Sequence, residues 1–300
     1  MPFSSSWILA ASYSLLTTRY FRVNSAVVTS DDMSSLQNPW PDPGSPQPIA
    51  PGPVRPAPPE DPPWTGLDVL SVVAATVVVL IVLPLLAVVM AHQLFFPKAS
   101  FTEIMQIPEI VLVVQVLIYA VVFALIYYLL RARTGQFSKS LRWNWPRSSW
   151  AGFLLLGGLV YFALMGLGQL LPIPKHLPID RFFETSREAA LMSILSVTLA
   201  PFMEELFFRG LLYPVLARRF GVGVSIFLTG AAFGLLHGAQ LKYSWAVLII
   251  FLVGVVLTAV RAVTKSVAAS FLVHVGYNGT LSALLFIATD GFRHLEKLNQ

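Results

Sequence analysis

The sequence predicts an all-α fold: a polytopic transmembrane helix bundle of about seven spans, or eight with a re-entrant element, behind a disordered N-terminal tail. Three observations carry that expectation. Apolar runs of roughly 20 residues recur along the chain, enough for a helix to cross a hydrocarbon core of about 30 Å. Composition is 56% hydrophobic and 12% charged, with mean hydropathy +0.70, far from soluble averages. Basic residues gather in alternate loops, as orientation in a bilayer requires.

Residues 1–65 form the expected tail. Residues 1–32 are rich in Ser, Thr and Ala and carry no visible chemistry. Residues 38–63 hold 12 of the 22 prolines, a run that makes an extended tether and no packed core. Residues 66–149 hold two spans, Val69–Met90 and Ile110–Leu130, and a loop with Arg131, Arg133, Lys139, Arg142 and Arg147 and no acid. The positive-inside rule puts that loop in the cytoplasm. Residues 150–290 hold five more spans: Trp150–Leu171, Ala189–Ala217, Val222–Leu241, Trp245–Val260 and Ser266–Thr289. A short interfacial helix is expected near Ile179–Arg187. Alternation then places Arg218, Arg219, Arg261 and Lys265 inside as well, with the loops 94–108, 172–188 and 242–244 outside.

Composition also excludes function classes. A net charge of +5 fits the loops of a membrane protein, and no aromatic–basic pattern suggests a nucleic-acid partner. Cysteine is absent, so disulfides, thiol catalysis and cysteine–zinc sites are out. There is no H-E-x-x-H, no Asp inside an expected span, and no Gly-x-Ser-Gly nucleophile.

One stretch breaks the apolar pattern. Pro201–Tyr213 carries Glu204, Glu205 and Arg209 at bilayer depth, where each ionisable side chain costs about 2.5–3.5 kcal/mol on insertion scales. Glu205 and Arg209 are four apart and share a helix face, so they can pair. Glu204 is turned about 100° away and is free to face something else. His237 and His274 fall on two other spans at comparable depth, within roughly 14–20 Å of the basic end. Asn278 follows His274 by four, Phe233 precedes His237 by four, and Gly230-x-x-x-Gly234 lets a neighbouring helix approach. Such a set can activate water with Glu and His and stabilise an oxyanion with the second His and Asn. Alternatively Glu204, His237 and His274 could ligate zinc and leave a position open for water. Either route is amide hydrolysis inside the bilayer. The competing reading is a non-enzymatic scaffold or transporter using the polar cluster as an ion path.

Glu204-Glu205-x-x-x-Arg209, Phe233-x-x-x-His237 and His274-x-x-x-Asn278, in that order on successive spans, resemble the CPBP family of intramembrane proteases, also called type II CAAX prenyl endopeptidases or the Abi family. The resemblance implies an integral-membrane endopeptidase with Glu204, Glu205, His237, His274 and Asn278 as the catalytic set and Arg209 and Phe233 in support. It implies zinc held by Glu204, His237 and His274 if a metal is used, and a glutamate mechanism if none is. The implied partners are membrane lipid and a protein or peptide substrate. CAAX-type processing of prenylated proteins and bacteriocin maturation or immunity are the two substrate classes. The expected location is a bacterial inner (plasma) membrane, with the site open to the cytoplasm.

Overall fold

The computed structural model describes residues 60–147 and 149–296; the tail expected over residues 1–59 lies outside them. Every described residue belongs to one compact unit, which spans Ala57–Gln300. All regular structure among the described residues is helical. The helices are α1 (Gly66–Leu94), α2 (Phe101–Met105), α3 (Pro108–Thr134), α4 (Phe137–Ser140), α5 (Trp150–Gly168), α6 (Ser186–Val197), α7 (Leu199–Glu204), α8 (Tyr213–Phe220), α9 (Val222–Leu236), α10 (Ala246–Thr264) and α11 (Val267–Ala288). A π-helix, Glu205–Leu212, joins α7 to α8, and short 3-10 turns occupy Pro178–Phe183 and Ala239–Leu241.

Local chemistry sets the ends. Thr65 and Asp68 close a capping box at the start of α1, and Asp68 also meets Arg133 at the far end of α3 (2.6 Å), tying the two helix ends together. Pro108 opens α3, where a missing N–H is harmless, and Gly135 at φ 69° closes it. Thr185 and Glu188 cap α6, so the expected interfacial helix is instead a 3-10 turn followed by the first turn of a membrane helix.

Six segments are long and apolar enough to cross a membrane: α1, α3, α5, the run Ser186–Phe220, α10 and α11. The seventh expected span is α9, and it is shorter than Val222–Leu241. It ends at Leu236 after 15 residues, about 22 Å, with His237 as its C-cap. The chain then tightens through Gly238 into a 3-10 turn and passes Lys242 and Tyr243 at positive φ. The Ser186–Phe220 run is not one regular helix either. Pro201 lacks the N–H that would reach Val197, and the helix breaks at Thr198 (φ −114°, ψ −81°). It then unwinds into a wider π turn, with Tyr213 N–H reaching back five residues to the Phe208 carbonyl.

Two close crossings lock the core. The Gly230–Gly234 ridge of α9 meets α10, where a Cβ on Gly234 would stand 3.1 Å from Phe251 backbone. At the second crossing, Gly157 of α5 and Gly276 of α11 sit so close that Cβ atoms would lie 2.1 Å from the Val273 carbonyl oxygen and 2.2 Å from that of Leu154.

The boundary of the expected tail shifts. Residues 60–65 belong to the folded unit: Glu60 and Trp64 are buried against the end of the bundle that carries Arg142, Arg218, Arg261 and Lys265.

Candidate active site

The broken helix positions two adjacent carboxylates for different tasks. Glu205 is fully buried and accepts from Arg209 Nη1 (2.9 Å), Ser270 Oγ (2.6 Å) and His274 Nδ1 (3.0 Å). Arg209, equally buried, also donates through Nη2 to the Gly254 carbonyl (3.0 Å) and through Nε to Thr258 Oγ1 (3.3 Å). Its guanidinium lies over the Phe233 ring at 4.6 Å. This is the expected pair, satisfied on both sides as a buried ion pair must be. Glu204 points the other way. It accepts no hydrogen bond among the described residues, and its two oxygens stand 3.8 Å from His237 Nε2 and 3.7 Å from His274 Nε2.

Hydrogen-bond chemistry fixes which nitrogens face it. His237 Nδ1 is 2.9 Å from the Phe233 carbonyl, an acceptor only, so Nδ1 carries the proton. His274 Nδ1 faces the Glu205 carboxylate paired with Arg209 and carries a proton for the same reason. A neutral His237 therefore aims an Nε2 lone pair at Glu204, and His274 turns its own Nε2 to the same carboxylate. Three polar side chains converge on one spot. The gaps are too long for a direct hydrogen bond and short enough for one water to bond to both sides.

These groups line a cavity of about 1470 Å³ together with Phe233, Tyr277 and Asn278. Asn278 Nδ2 donates to the Ser196 carbonyl (2.7 Å), just before the helix break, which leaves its second N–H uncommitted there. Phe233 is the hub: its ring contacts His237 (4.9 Å) and His274 (5.7 Å) as well as Arg209.

Three expectations change. Glu205 does not line the cavity; all its partners are internal, so it supports the site from behind. His237 caps a helix and does not sit within one. The cavity also opens away from the basic end. Its outer lining comes from the 175–186 loop, residues 239–241 and residues 292–296, at the opposite end of the bundle from Arg142, Arg218 and Arg261.

The donor types of Glu204, His237 and His274 suit zinc, and their gaps of 3.7 and 3.8 Å are within a few tenths of an ångström of the roughly 3.4 Å between ligands of a tetrahedral zinc, so these three side chains are the ones that would hold it.

Several functional partners were missed. Ser270 was readable in principle, being four before His274 on the same face. Thr258 is the single hydroxyl in the apolar stretch Ala246–Val260, a weak signal. Nothing marked Gly254 or Trp64.

Residues 186–280 match the family described as type II CAAX prenyl endopeptidase Rce1-like. This stretch belongs to that family. The match spans α6 to most of α11, about a third of the chain, and includes every residue converging on Glu204 and Glu205. With it comes an activity class, that of an intramembrane endopeptidase, without a particular substrate. No curated protein and no solved structure matches the chain.

Proposed function

We propose that this Rce1-like protein cleaves a peptide bond with a water activated by Glu204 and His237. The observation that carries the reading is the Glu204 carboxylate facing two Nε2 atoms inside a large cavity, with no hydrogen bond of its own among the described residues. In this mechanism Glu204 takes a proton from the water while His237 holds it in line. The hydroxide adds to the scissile carbonyl carbon, and the carbonyl oxygen takes the negative charge. His274 in its protonated form, backed by Glu205, and the second Asn278 N–H donate to that oxygen. The proton held by Glu204 then passes to the departing amine as the C–N bond breaks, and the carbonyl re-forms as a carboxylic acid that gives up its own proton to solvent or to the freed amine. No step runs through a metal.

The cavity exceeds the roughly 300–1,000 Å³ of ordinary small-molecule sites, consistent with a stretch of polypeptide as occupant. The basic loops supply the orientation. With Arg131, Arg133, Lys139, Arg142 and Arg147 in the cytoplasm, the mouth faces the opposite side of the membrane. That arrangement favours a membrane-held or exported peptide over a prenylated protein presented from the cytoplasm.

The test is cleavage in proteoliposomes of a farnesylated CAAX-ended peptide and an unprenylated hydrophobic peptide. Wild type is compared with Glu204→Gln and His237→Ala. Loss of cleavage in both variants is the expected result. Cleavage at wild-type rates in either would remove the mechanism, and failure of wild type on both peptides would leave the ion-path reading ahead.

A further inference from the structure

Residues Glu60–Thr65 cross the end of the bundle as a strap, and their contacts lead straight to the catalytic helix. The Trp64 indole N–H donates to the Leu211 carbonyl (3.0 Å) from a fully buried position. Leu211 lies in the last turn of the π segment that holds Glu205 and Arg209. Pro214, in the turn that follows, has no N–H to give to the Gly210 carbonyl, and Trp64 gives the adjacent Leu211 carbonyl a donor from outside the helix. The Trp64 ring joins Met203, Leu206 and Leu211 in one apolar cluster, so it grips the segment by packing as well.

The strap is itself held firmly. Glu60, 2% exposed, meets Arg142 (3.1 Å) from one loop and Arg261 (3.1 Å) and Lys265 (3.6 Å) from the end of α10. Arg218 donates to the carbonyls of Pro62 (2.9 Å) and Trp64 (3.2 Å). The whole strap lies outside the residues matched by the family.

The geometry points to Trp64 as a positioning residue for the hydrolysis: its bond to Leu211 holds residues 205–212 in the π winding. That winding sets how the two ends of the segment are turned against each other, and so how Glu204 and Glu205 stand relative to Leu211 and the helix that follows. A relaxation to ordinary α winding would rotate one end against the other by about 100° per residue of slip. Trp64 touches neither substrate nor water and acts through the helix alone.

The experiment uses the full chain in detergent with Trp64→Phe, which keeps an aromatic ring and removes the N–H, and with Glu60→Gln, which loosens the strap at its far end. Hydrogen exchange is followed over peptides covering 205–213 and the other helices, alongside cleavage of the farnesylated and unprenylated substrates. The kinetic arm rests on the proposed hydrolysis; the exchange arm does not. Expected for Trp64→Phe is about tenfold faster exchange confined to 205–213, and a kcat about tenfold lower with KM within about twofold, the scale of one lost hydrogen bond. Glu60→Gln gives the same local pattern at smaller size, and carries the test if Trp64→Phe does not insert. Unchanged exchange at 205–213, a rise spread evenly over all helices, or faster local exchange with undiminished kcat each overturns the proposal. If wild type cleaves neither peptide, the hydrolase reading has failed, and retained protection at 205–213 in both variants still sinks the positioning role.

Discussion

Replacing either of two adjacent glutamates by glutamine should give opposite phenotypes. Glu204 accepts no hydrogen bond among the described residues, so Glu204→Gln removes no partner from the folded state. Its effect should fall on chemistry. Loss of a positioned general base costs about 10²–10⁴ in rate, or about 3–5 kcal/mol of barrier. Glu205 is the reverse case. It is fully buried and holds Arg209, Ser270 and His274 at once. Glu205→Gln leaves the Arg209 guanidinium buried without its anion, and breaking such a pair typically costs about 3–5 kcal/mol of stability. The assay is paired: detergent-solubilised protein is followed by intrinsic fluorescence on heating, and by peptide cleavage at a temperature where each variant is folded. Glu204→Gln should melt with wild type and cleave at least about a hundredfold more slowly. Glu205→Gln should melt several degrees lower. If Glu204→Gln cleaves within about tenfold of wild type, or if the two variants melt together, the division of labour is wrong.

Three further outcomes are expected. Gly276→Ala drives a methyl group into the Leu154 carbonyl, built at 2.2 Å, and should lower the melting midpoint and membrane yield sharply. Gly152→Ala, with nothing within 4 Å, should be neutral or stabilising by up to about 1 kcal/mol, so equal melting curves for the two would contradict the helix crossing. Incubation with a strong chelator followed by desalting should leave cleavage intact, read as initial rate and as metal content by emission spectroscopy; a rate restored only by added zinc would reverse this reading. The chain has no cysteine, so single-cysteine variants at Lys175 and Arg133 report orientation directly. In intact cells a membrane-impermeant maleimide should label position 175 and spare position 133, and the opposite pattern would turn the mouth towards the cytoplasm.

Much of the fold was legible because the bilayer simplifies the reading. Long apolar runs have few other uses, and the alternating charges of Arg131–Arg147, Arg218–Arg219 and Arg261–Lys265 do gather at one end of the bundle. The gathering of Glu204, Glu205, Arg209, His237 and His274 was legible because each is so costly at depth that it must meet a partner. Their winding was not. Hydropathy does not distinguish α from π, so the underwound turn at Glu205–Leu212 carries no sequence signature beyond Pro201 upstream. The stop after Leu236 was hidden because the apolar pattern runs on past Gly238 to Leu241. Trp64 was hidden by its neighbours: a proline-rich stretch reads as solvated linker, and only its tertiary contacts show that its last residues are core.

The brevity of α9 has a consequence for how water reaches the reaction. At about 22 Å it falls about 8 Å short of a typical hydrocarbon thickness. A bilayer meets such a mismatch by thinning locally, which draws the headgroup layer down towards the end of the helix. That end is His237. Such thinning would set the mouth of the cavity close to the headgroup layer, so that water for the proposed hydrolysis would have only a short way to travel.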